Sequence, residues 1–152
     1  MRQEIWKMVA EKAHWLGLSE EYFEGITLTE NSVFKLKKAA PNKCAYEFDL
    51  QETPRCIFWI NSPNANWNKK VFDLLKTCEK ELEESLEVPL VWIAEGDSIK
   101  RGIAIEQDKK LNRTLDPTKD TPEELALHLL RSFYLMKDKL EHVVENSIEA
   151  LY

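Results

Sequence analysis

Residues Cys56–Ala94 read CIFWINSPNANWNKKVFDLLKTCEKELEESLEVPLVWIA, and this stretch decides the fold. CIFWI is apolar on both faces, as expected of a strand in the middle of a sheet. NSPNAN is a turn, and WNKKVFDLLKTCEKELEESL places Trp67, Val71, Leu74, Leu75, Cys78, Leu82 and Leu86 on one helical stripe opposite an acidic face. Val88-Pro89 stops that helix, and Leu90–Ala94 begins a second buried strand. A strand, one long helix and a strand predict a helix lying across a sheet.

Working outward gives the remaining elements. Upstream, Ile5, Trp6, Val9, Ala13, Trp15 and Leu16 form the apolar face of an opening helix that Gly17 ends. Val33–Lys37 and Cys44–Leu50 alternate apolar with polar, as half-buried strands do. Downstream, Glu95-Gly96-Asp97-Ser98 joins the Leu90 strand to an Ile99–Glu106 strand as a hairpin. A polar segment follows from Gln107 to Asp120. Thr121-Pro122-Glu123-Glu124 is a capping box, with Thr121 as N-cap and Pro122 at the first helical position. It opens a closing helix of about 30 residues, or roughly 45 Å. Its stripe runs through Leu125, Leu129, Phe133, Met136, Leu140, Val143, Val144 and Ile148, and its last turns are expected to overhang the sheet.

The order α-β-β-β-α-β-β-α with tight turns predicts an α+β, two-layer sandwich: an antiparallel sheet of about five strands with helices mainly on one face. The 152 residues are the size of a single domain, and 43% apolar content is that of an ordinary globular chain. Cys44, Cys56 and Cys78 show no paired spacing, so neither zinc nor a disulfide framework is expected. The N-terminus does not read as a signal peptide and no apolar run approaches a membrane span, so a cytoplasmic setting is expected.

The chemistry is sparse. His14, His128 and His142 sit on helices without metal-ligand spacing and read as partly exposed. No nucleophile elbow or phosphate loop is present. No catalytic residue, cofactor or metal is therefore expected. The loop into the central helix is the candidate binding site: Asn61, Asn64, Asn66 and Asn68 precede a helix N-terminus, with Lys69 and Lys70 beyond. Free N–H groups there favour an anion such as a phosphate or carboxylate; alternatively the Asn residues cap the helix. A charge of −6 disfavours nucleic acid unless Lys35–Lys38 and Lys100–Lys110 cluster on one surface. Asp97, Asp108 and Lys110 formally match the acidic-x-Lys pattern of a metal-dependent nuclease or hydrolase, although Asp97 lies in the hairpin turn and Asp108 reads as a solvated strand end. Trp59 and Trp92 read as core.

Taken together, Trp6, CIFWIN, NKKVFDLL, PLVW, RGIAIE and the long closing helix resemble an uncharacterised bacterial family, domain of unknown function 4268. The resemblance covers nearly the whole chain. Members of that family occur alone or behind a region that can resemble a restriction-type nuclease, which implies a link to nucleic-acid metabolism or phage defence. This chain opens almost directly at the family's first helix, without the nuclease-like region, so the expectation leans away from an enzymatic role. The expectation is an interaction or regulatory module, with a protein partner or self-association through an apolar strip along Leu140–Leu151. A nucleic-acid-associated accessory domain and a metal-dependent nuclease or hydrolase are the alternatives.

Overall fold

The structure is a computed structural model that describes residues 2–41, 43–96 and 98–151. Helix α1 (Arg2–Trp15) is followed by two short 3₁₀ turns and three strands, β1 (Val33–Lys35), β2 (Cys44–Asp49) and β3 (Arg55–Ile60). Helices α2 (Ala65–Lys76) and α3 (Glu79–Leu86) lead to β4 (Val91–Ile93) and β5 (Arg101–Ile105). A small hairpin, β6 (Gln107–Asp108) and β7 (Arg113–Thr114), precedes α4 (Pro122–Leu135) and α5 (Glu141–Glu149).

The five larger strands form one antiparallel sheet in the order β1-β2-β3-β5-β4. The period of two assigns the faces. Phe34, Phe48, Cys56 and Ile105 form one cross-strand row, and Tyr46, Phe58, Ile103 and Trp92 the next. These rows meet the helices: Phe133 of α4 sits 4.9 Å from Tyr46, and Phe72 of α2 sits 5.4 Å from Trp92. The expected α+β sandwich with helices on one face is therefore the observed fold.

Among the described residues no helix packs on the other face. Ile57, Ala104 and Ile93 are nonetheless buried there, beside Trp59 and Val91. Trp59 lies against Gly102, where a Cβ would come within 2.7 Å of the indole, and Lys100 Nζ stands 4.0 Å from the ring centroid. Trp59 and Trp92 thus lie on opposite faces of the sheet, both half-buried, rather than together in one core.

Several boundaries differ from expectation. The central helix breaks at Thr77-Cys78, because Thr77 Oγ1 donates to the Leu74 carbonyl and Cys78 leaves helical geometry (φ −101, ψ 11). The polar segment after Glu106 contains the β6–β7 hairpin. Ile99 lies outside β5 and is 49% exposed. The closing helix runs through a π-helical turn at Met136–Leu140. Its end does not overhang: Leu140 and Val144 are fully buried, and Val143, Ile148 and Leu151 pack on the core. Trp15 and Leu16, expected on the packing face of α1, are 78% and 60% exposed.

Candidate functional site

The Asn61–Asn68 loop spends much of its polarity on itself. Asn64 Oδ1 accepts from the Trp67 N–H at 3.0 Å and caps α2. Asn68 is fully buried; its Oδ1 accepts from Ser62 N–H and Oγ–H, and its Nδ2 donates to the Ser62 and Ile99 carbonyls. The Asn61 N–H donates to the Lys43 carbonyl, Asn66 is exposed, and Lys69 pairs with Asp73 at 2.8 Å. Lys70 is exposed. Of the candidate residues, Asn64 and Asn68 are thus structural in their contacts, while Asn61, Asn66, Lys69 and Lys70 face solvent.

Asp108 is the larger departure. It is fully buried rather than a solvated strand end, and so is His128, expected from the helix pattern to be partly exposed. Asp108 Oδ1 accepts from His128 Nδ1 at 3.0 Å and Arg131 Nε at 3.2 Å. Its Oδ2 accepts from Arg131 Nη2 at 3.0 Å and the Leu111 N–H at 2.9 Å. On its far side His128 Nε2 donates to the Pro54 carbonyl at 2.9 Å. A carboxylate has about four acceptor sites, and four donors fill them. Burial opposes its ionised form, but the bonds from His128, Arg131 and Leu111 outweigh that and hold the carboxyl well below the usual range. The bonding that fixes Asp108 leaves no lone pair for a cation. Lys110 is exposed, and Asp97 lies outside the described residues.

A second polar cluster flanks the π-helical turn. Tyr46 Oη donates to Glu141 Oε2 at 2.5 Å, and Lys137 Nζ donates to the same oxygen at 3.0 Å and to the Ala39 carbonyl. Burial and the neighbouring Glu141 push the Tyr46 hydroxyl far up, and push the Cys44 thiol up to about 12. Neither group is poised as a nucleophile near neutral pH.

The two lysine stretches are paired only in part. Lys38 pairs with Glu21 at 2.7 Å, Lys37 with Glu24 at 4.0 Å and Lys109 with Glu87 at 3.7 Å.

What the surface does offer is a groove of about 630 Å³ between the end of α1 and α4. Leu16 and Leu18 line one side; Leu127, Leu130, Tyr134 and Leu135 of α4 line the other. Lys109, Lys110 and Arg131 border it. Leu130 and Leu135 are buried, while Tyr134 and Leu16 are each 60% exposed. Among the described residues five large hydrophobic side chains are exposed, and three of them, Trp15, Leu16 and Tyr134, lie in this groove or directly beside it in sequence. The sequence reading missed it because Leu127, Leu130 and Tyr134 lie off the stripe traced for α4. Their i, i+3, i+7 spacing is a second apolar stripe, and a helix wider in apolar surface than one stripe was the available signal.

Comparison with known proteins returned nothing: no family model, no curated protein and no solved structure matches this chain.

Proposed function

We propose that this chain is a non-catalytic interaction module that docks a protein partner in the groove between α1 and α4. The observation that carries this reading is the concentration of exposed Leu16 and Tyr134 in one concave, apolar site. Scattered exposed hydrophobics are normal on a soluble surface, whereas a contiguous aromatic and aliphatic patch marks a contact site. Tyr, here Tyr134, is also among the residues that anchor interfaces most strongly. The saturated Asp108 supports a structural rather than a catalytic use of the chain's buried Asp–His–Arg cluster. The process served would be the one that the family resemblance implies, nucleic-acid metabolism or phage defence.

The test is a paired purification. Tagged wild type and a Leu127→Asp/Tyr134→Asp double variant are isolated from the native host, and retained proteins are identified by mass spectrometry. A stoichiometric partner held by wild type and lost by the variant, with circular dichroism showing both folded, is the expected result. Equal retention by both overturns the assignment to this groove.

A further inference from the structure

If the groove is the docking site, as proposed above, its charge bears on what docks there. The molecule carries a net charge of −6, yet the groove is bordered by three cations, Lys109, Lys110 and Arg131. Their availability differs. Lys109 pairs with exposed Glu87 at 3.7 Å, a contact of little energetic weight. Lys110 is exposed and makes no ion pair among the described residues. Arg131 is held side-on by Asp108 through Nε and Nη2, so the guanidinium is fixed while Nη1 makes no hydrogen bond among the described residues. A guanidinium oriented in advance loses less freedom when it binds a carboxylate.

Charge also argues against a second copy of this chain. A two-fold contact through the groove would set the same cations against their own images. The walls present side chains of α4 and of the turn after α1 rather than a free strand edge, which suits a helix in a groove better than an added strand.

We infer that the groove binds an acidic amphipathic helix of a partner protein, with its apolar residues seated between Leu16 and Tyr134 and its carboxylates meeting Arg131, Lys109 and Lys110.

The probe is a fluorescein-labelled designed helix with Leu at the apolar heptad positions and Glu elsewhere, titrated with the full chain by anisotropy. Its counterpart carries Lys in place of every Glu. The Glu helix is expected to bind saturably and to weaken as salt rises, with the Lys helix at least about tenfold weaker. Lys110→Glu should weaken the Glu helix by about tenfold, and Lys80→Glu, at an exposed site outside the groove, should leave it unchanged. Equal binding of the two helices, no saturable binding of the Glu helix, or indifference to Lys110→Glu overturns the proposal. So does saturable binding to phosphatidylserine vesicles that Lys110→Glu abolishes and the Glu helix does not displace, which would assign the patch to a membrane surface. If the native partner is lost from the Leu127→Asp/Tyr134→Asp variant but docks through a basic segment, this proposal falls while the module reading stands.

Discussion

At the scale of single residues, Asp108 is a position on which stability depends. Four donors converge on it, and removing the carboxylate strands a fully buried His128 and a half-buried Arg131. Asp108→Ala should therefore cost about 3 kcal/mol, measured by urea denaturation at pH 7. The pH dependence follows from the depressed carboxyl. Its folded form titrates below the ordinary carboxylate value of about 4, so its contribution is complete above that pH and is lost as pH falls below it. Asp120, held down to about 2 chiefly by the Arg113 hydrogen bond, acts in the same direction. Wild type should lose stability steeply below about pH 4, and Asp108→Asn should flatten that slope; an unchanged slope would show that Asp108 is not the source. Gly102 is the other sensitive residue. A methyl group there meets Trp59 at 2.7 Å, so Gly102→Ala should cost about 1–3 kcal/mol, and Trp59→Leu in the same background should recover part of it.

At the scale of elements, two helix starts are fixed by side chains. Thr121 Oγ1 accepts from the Glu124 N–H at 3.2 Å, so Thr121→Ala should cost about 1 kcal/mol in thermal or urea unfolding. Asn68 ties the β3–α2 turn to the loop before β5 with hydrogen bonds to Ser62 and Ile99. Asn68→Ala leaves buried groups without partners and should cost more, about 2–3 kcal/mol. A smaller loss at Asn68 than at Thr121 would contradict this ranking. The π-helical turn belongs to the same scale. It widens the helix where Tyr46, Lys137 and Glu141 meet, and its Leu140 and the Val144 of α5 are both fully buried.

At the scale of the whole molecule, stability and the proposed contact are separable. Leu75 of α2 is fully buried, and Leu75→Ala should cost about 2–5 kcal/mol through the cavity it leaves. Tyr134 is 60% exposed, so Tyr134→Asp should move stability by no more than about 0.5 kcal/mol while abolishing partner retention. A large stability loss at Tyr134 would mean that the ring holds the fold together instead of waiting for a partner.

Much of this architecture was legible in the chain itself. Alternation along Val33–Lys37 and Cys44–Leu50 assigned sheet faces, Thr121 is the N-cap as the sequence predicts although the reciprocal Glu124 bond is not made among the described residues, and the apolar CIFWI run forms the central strand β3. These features are local, because hydrogen bonding within a turn and the period of an element are set by neighbours in sequence. The breaks were legible only in part: Thr77 ends α2 by a side-chain bond that competes with the helix ladder, and apolar spacing does not register it. What only the tertiary structure decided was which residues far apart in the chain meet. Asp108 lies 20 residues from His128, and His128 lies 74 from Pro54. Charge patterning placed Asp108 in water because no local feature announces the donors that bury it. The groove has the same origin. Periodicity identifies an apolar stripe, but only the packing of α1 beside α4 decides that Leu127 and Tyr134 are left partly uncovered, since burial depends on what the rest of the chain brings to that face.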